Sequence, residues 1–167
     1  MNDGYEEILV KRGKTPKDTI LKAVIIGVTA VLVAAGIFFF NPLFLLAGMA
    51  LGLLGYYLIL PNFDLEYEYL YVGGDIDIDK IMAKRKRKKV ASYSKDNLEI
   101  MAPSGSGHLT PYLQGAKVVD YTSLDPEKKT WTLVYGSETS KEAVVLELTD
   151  EIAKDMRRFA PRKVFFD

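Results

Sequence analysis

The chain has 167 residues, no cysteine, and 22 Lys/Arg against 22 Asp/Glu, for a formal net charge of zero. Balanced charge gives no bulk drive toward nucleic acid or acidic substrates, and the missing thiol excludes disulfides, cysteine nucleophiles and cysteine metal sites. Ile20 to Leu60 carries Lys22 as its only charge, so the remaining residues suffice for one modest soluble core.

In chain order, Asp3-Gly4-Tyr5-Glu6 pairs a capping residue with Glu three places on, and Lys11-Arg12-Gly13 supplies a cationic last turn and a stop. The pattern predicts a short helix over 4–12 within an N-terminal segment 1–15. Tyr5, Ile8 and Leu9 form one apolar stripe, suited either to the membrane interface or to packing on the soluble domain. Thr15-Pro16-Lys17-Asp18 repeats the start signal.

A hairpin of two membrane-spanning helices is predicted over 16–61. The first span, about 20–40, is roughly 31 Å long at 1.5 Å per residue, against a hydrocarbon core of about 30 Å. Lys22 lies near its entry end, where the stem lifts the ammonium to the headgroups. Asn41-Pro42 forces a turn, and the second span covers about 43–60, with Tyr56-Tyr57 as interfacial anchors. The first apolar run is too long for a secretory signal, and a second follows at once. Lys11, Arg12, Lys14 and Lys17 precede the first span while the connecting turn has no charge, so both termini are expected in the cytoplasm of a multi-pass plasma-membrane protein. Gly48, Gly52 and Gly55 give the second span a small-residue helix-packing face. It suits either the first span, through Gly27, Ala30 and Ala34, or a second copy in a homo-oligomer.

Residues 62–167 are predicted to form a cytoplasmic antiparallel β domain with one C-terminal amphipathic helix. Tyr67, Tyr69 and Tyr71 alternate along Asp64 to Val72, and Gly73-Gly74 turns the chain into Asp75 to Asp79. Further strands are read at 98–102, 117–121, 130–135 and 143–148, with turns at Pro103-Ser104-Gly105, Asp125-Pro126 and Gly136-Ser137. Thr149-Asp150 starts a helix with Ile152, Met156 and Phe159 on one face and Arg157-Arg158 in the last turn. The Lys163 to Phe166 tail is expected to pack back on the domain.

This architecture resembles bacterial PH-like membrane proteins, in which the last helix plugs a partly open barrel. EYEYLYVGGDIDIDKI (66–81), KRKRKKV (84–90), DYTS (120–123) and APRKV (160–164) resemble an uncharacterised, domain-of-unknown-function family of small two-span membrane proteins from Gram-positive bacteria. The resemblance implies an α+β membrane protein and carries no activity or site residues with it.

The six successive cations Lys84, Arg85, Lys86, Arg87, Lys88 and Lys89 are the candidate lipid-binding site. At roughly 1 kcal/mol each near an anionic leaflet the ceiling is about 6 kcal/mol, which alternation and the acids of the preceding hairpin reduce to about 2–3 kcal/mol. The same run also reads as a solvated face paired with Glu66, Glu68, Asp75, Asp77 and Asp79. No aromatic interleaves it, so nucleic acid is not an expected partner. Asp75-x-Asp77-x-Asp79 opens like a calcium loop, but Lys80 and Lys86 stand where its glycine and bidentate glutamate belong. Ser104 to His108 sets hydroxyls beside the one histidine without nucleophile-elbow spacing and reads as a polar loop. No catalytic set, metal site or cofactor is expected. The reading is a membrane-anchored, non-enzymatic binding or scaffolding protein that contacts membrane lipids. A protein-interaction subunit of a membrane complex is the alternative, using the sheet edge, the tyrosine face or the glycine face, and an enzyme using His108 is the third reading.

Overall fold

A computed structural model describes residues 4–136 and 140–167. Asp3 as a cap and Ser137 in its turn lie outside the described residues.

Tyr5–Lys11 is a strand, β1, and not the helix its cap and stop signals predict. It pairs antiparallel with β2 (Leu65–Val72), from Tyr5 opposite Val72 to Lys11 opposite Glu66. Glu6, Ile8 and Val10 turn inward while Tyr5 and Leu9 stay exposed, a period of two that leaves no helical stripe. Residues 1–13 therefore group with the sheets in one unit, with 66–81 and 87–167, while 14–65 and 82–86 form the other. The apolar hairpin does not precede the β domain; it is inserted between the domain's first two strands.

Within the hairpin unit, α1 (Pro16–Phe38) starts as its residues predict: the Thr15 hydroxyl accepts from Asp18 N–H and the Asp18 carboxylate accepts from Thr15 N–H. Asn41 caps α2 (Pro42–Leu54) by accepting from Leu43 N–H, so Pro42 opens the second helix at the position where its missing donor costs nothing. The helix continues past Leu60 through a π turn, Gly55–Ile59, and a 3-10 turn, Leu60–Phe63. The widened turn immediately precedes Pro61, whose ring excludes the carbonyl four residues earlier.

Gly48, Gly52 and Gly55 face α1. A Cβ on Gly48 meets Val33 Cγ2 at 2.8 Å, one on Gly52 meets Thr29 Cγ2 at 3.3 Å, and one on Gly55 meets Ile25 Cγ2 at 3.0 Å. The close approach is reciprocal, since a Cβ on Gly36 falls 2.6 Å from Leu45 Cγ. The partners on α1 are thus Ile25, Thr29 and Val33; the expected Gly27, Ala30 and Ala34 lie exposed. Outside that seam the helices stay bare, with 6 % of the most apolar stretch buried in the first and 11 % in the second. Both are long and apolar enough to cross a membrane.

The sheet unit contains two four-stranded sheets. One has the order β1-β2-β3-β4, with β3 at Asp75–Met82 and β4 at Lys86–Tyr93. The other comprises β5 (Leu98–Pro103), β6 (Lys117–Asp120), β7 (Trp131–Gly136) and β8 (Lys141–Leu146) in the order β5-β7-β8-β6. A short helix, α3 (Thr110–Leu113), lies between β5 and β6. Contrary to a purely antiparallel reading, β6 pairs parallel to β8. Helix α4 (Asp150–Phe159) is capped by Thr149 and buries Ile152, Ala153 and Met156, while Phe159 is half exposed and meets Lys95 instead. The C-terminal tail adds to β5: Met101 N–H donates to Lys163 O and Phe165 N–H to Met101 O, each at 2.8 Å.

Tyr67, Tyr69, Tyr71, Ile76, Ile78, Trp131, Leu133, Val144, Leu146 and the inner face of α4 make one core. Burial raises the Tyr69, Tyr71, Tyr93 and Tyr135 hydroxyls far above the ordinary value of 10, with Asp155 adding to the rise at Tyr71 and Tyr121 at Tyr93. A hydroxyl that holds its proton more tightly folded than unfolded stabilises fully below pH 10 and loses that contribution as pH climbs beyond it. Alkaline titration is expected to show part of the tyrosinate absorbance appearing together with loss of the near-ultraviolet circular dichroism. All ten tyrosines ionising smoothly near pH 10 with the fold intact is the contrary result.

Candidate functional site

The basic run falls on the β3–β4 hairpin. Its turn has only two central residues, Ala83 and Lys84, both with left-handed φ (48° and 54°), closed by Arg85 N–H to Met82 O at 3.0 Å. Such a turn matches the twist of its strands but favours Asn and Gly, so Ala-Lys here is strained. In the hairpin unit the turn is held from one side, where Ala83 N–H donates to Asp64 O at 2.8 Å, directly after the second apolar helix.

The six cations divide into two groups. Arg87 pairs with Glu68 and, at 2.5 Å, with Asp79; Lys89 reaches Asp77 at 2.7 Å. Asp77 also accepts from Ser92, and these two bonds hold its carboxyl below the ordinary range. The remaining four, Lys84, Arg85, Lys86 and Lys88, are exposed and have no ion pair among the described residues. Alternate residues on the strand are therefore neutralised by the acidic face of β2 and β3, and the turn and the other residues of the run are not.

Charge in the hairpin unit is confined to one end of its two helices. Residues 14–65 and 82–86 contain Lys14, Lys17, Lys22, Lys84, Arg85 and Lys86, six cations, against Asp18 and Asp64, two acids, leaving 6 − 2 = +4. Lys14, Asp18, Thr19 and Lys22 line one open cleft with Leu60, Phe63 and Asp64. At the opposite end, Phe38 to Pro42 carries no charge. A cationic collar joined to apolar helices is able to hold anionic headgroups where acyl chains meet water. The sequence placed Lys84 to Lys89 in the site but missed that Lys14, Lys17 and Lys22 share a unit with the turn, because the link is a backbone bond between residues nineteen apart, Asp64 and Ala83.

The other sequence candidates have structural partners. Asp77 and Asp79 bond across to Lys89 and Arg87 on β4, and Asp75 accepts from the Ser94 hydroxyl and Lys95 N–H just beyond it, so the Asp75-Asp77-Asp79 alternation serves cross-strand bonding. His108 stacks on Phe165 at 4.3 Å with Nε2 3.6 Å from Asp167. Ser106 donates to Asp167 O, and Ser104 bonds Thr132, so neither hydroxyl engages the imidazole. Of the three docking surfaces that the sequence suggests, the tyrosine face is core and the glycine face is closed by α1.

Replacing Ala83 by Asn, which tolerates left-handed backbone, is expected to raise the thermal midpoint of the detergent-solubilised chain. Ala83→Val, β-branched, lowers it, each by the equivalent of about 1 kcal/mol. Equal midpoints for the two variants would contradict the turn geometry.

The family model described as Bacterial PH-like domain (DUF6106) matches residues 2–166, a range that includes both apolar helices. No curated protein and no solved structure matches the chain.

Proposed function

The chain belongs to the bacterial PH-like domain family, and from that premise we propose that it is a membrane-anchored, non-enzymatic binding or scaffolding protein. In this reading its sheet unit stands at the cytoplasmic leaflet and Lys84, Arg85, Lys86 and Lys88 contact anionic headgroups. The observation that carries it is the combination found in the hairpin unit: two apolar helices with bare outer faces, and six cations gathered at one end. In water, a continuous surface of Ile20, Leu21, Val24, Val31, Leu43, Leu46 and Leu53 greatly exceeds the few hundred Å² of apolar patch that soluble monomers expose. The bilayer supplies the missing partner, and the excess of Lys and Arg favours the side that faces the cytoplasm. Arg87 and Lys89 already have acids, so about four cations at roughly 1 kcal/mol each, some 4 kcal/mol at most, remain for the leaflet.

The lipid contact is tested with the full chain in mild detergent, counting phosphatidylglycerol and phosphatidylcholine molecules retained in native mass spectra. A preference of about tenfold or more for the anionic lipid is expected, falling with salt and clearly reduced in K84S/R85S/K86S/K88S, which leaves Lys14, Lys17 and Lys22 in place. Equal retention of the two lipids, or an undiminished preference in the quadruple variant, would sink the proposal.

Orientation is accessible because the chain has no cysteine of its own. In intact cells a membrane-impermeant maleimide is expected to label Asn41→Cys, and to label Lys128→Cys only after permeabilisation. The reverse pattern overturns the cytoplasmic assignment.

A further inference from the structure

A second cationic surface lies wholly in the sheet unit, on the last two turns of α4 and the tail behind it. Lys154, Arg157 and Arg158 surround Phe166 in one open concavity. Arg162 and Phe159 belong to a second, lined also by Lys95, Asp96, Lys163 and the Ala160-Pro161 backbone that follows α4. Arg158 pairs with Asp155 at 3.4 Å, whereas Lys154, Arg157 and Arg162 have no ion pair among the described residues. In place of acids the cations lie over rings: Arg157 over Phe166 at 5.3 Å and Lys95 over Phe159 at 4.8 Å. Phe166 in turn meets Trp131 edge-on at 5.4 Å, so the aromatic floor is fixed to the core.

The contacts that anchor this surface all lie within the sheet unit. Asp155 accepts from Tyr71 OH at 2.7 Å, Lys95 donates to Gly73 O at 2.8 Å, and a Cβ on Gly74 falls 3.1 Å from Phe159. The surface therefore sits at the Gly73-Gly74 turn. That is the end of β1 and β2 remote from Lys11 and Glu66, about 20 Å away along an extended strand.

We propose that this face of α4 docks an acidic, extended segment of a partner protein, in which apolar side chains alternate with carboxylates. Charge complementarity names the carboxylates, since the two concavities carry Lys95, Lys154, Arg157, Arg158, Arg162 and Lys163 against Asp96, with Asp155 beside them paired to Arg158. Each concavity also has its own exposed or half-buried ring, so a bare anion uses only part of either. The two concavities follow one another along the chain, the first lined from Lys154 to Arg158 and the second from Phe159 to Lys163, so an occupant that fills both is elongated.

The test uses the full chain in phosphatidylcholine nanodiscs and a fluorescein-labelled 15-residue peptide alternating Glu and Phe, followed by fluorescence anisotropy. Binding is expected to weaken with salt, to weaken at least tenfold in R157S/R162S, and to be unchanged in K84S/R85S/K86S/K88S. Both replaced arginines are exposed, and an unaltered thermal midpoint shows that the double variant folds; R157K, which keeps charge but loses the planar guanidinium over Phe166, is expected to fall between. Peptide affinity unchanged in R157S/R162S, or lost equally in the hairpin variant, overturns the proposal. So does loss of phosphatidylglycerol preference in R157S/R162S with the peptide still bound, which assigns the face to lipid.

Discussion

The rest of the structure depends on two apolar helices whose outer faces are left bare. Their inner seam is closed by glycines of the second helix against Ile25, Thr29 and Val33, and packing of that kind needs only close approach. The outward side chains have no such solution, and among the described residues the most apolar stretch of each helix stays almost wholly unburied. Both helices are long and apolar enough to cross a membrane, and the charges of their unit all stand at one end.

The hairpin is inserted between β1 and β2, so the sheet unit is discontinuous in sequence. The two strands flanking the insertion pair over seven residues. The connections are short: β1 ends at Lys11 and α1 begins at Pro16, and Phe63 is separated from β2 by Asp64 alone. The neighbouring β3–β4 turn contributes its cations to the same unit as the helices through Ala83 and Asp64.

Much of this is legible from residue order. Thr15, Pro16 and Asn41 specify helix starts through local hydrogen bonds, Gly73-Gly74 supplies a turn that only positive φ permits, and Thr149 caps α4. Each of these signals acts within four residues. Tyr5 to Lys11 reads wrongly as a helix for the complementary reason: its cap and stop signals are local and weak, whereas the partner that makes it a strand lies some sixty residues later, across the whole hairpin. The parallel pairing of β6 and the capture of the tail by β5 are likewise contacts between distant segments. In the run Lys84 to Lys89 the sequence shows six cations but does not say which have acids opposite, because that depends on strand register.

By itself the sequence determined the apolar hairpin, its length, its charge asymmetry and the strand-rich character of the chain beyond Leu60, since hydropathy and short-range turn chemistry are properties of neighbouring residues. Only the tertiary structure decided that the hairpin is inserted in the sheet unit, that Gly48, Gly52 and Gly55 face α1, and that Arg87 and Lys89 are neutralised while Lys84, Arg85, Lys86 and Lys88 are not. Those are matters of which distant residues meet. Pairing across sixty residues is paid for by the core it completes, and no local propensity encodes it.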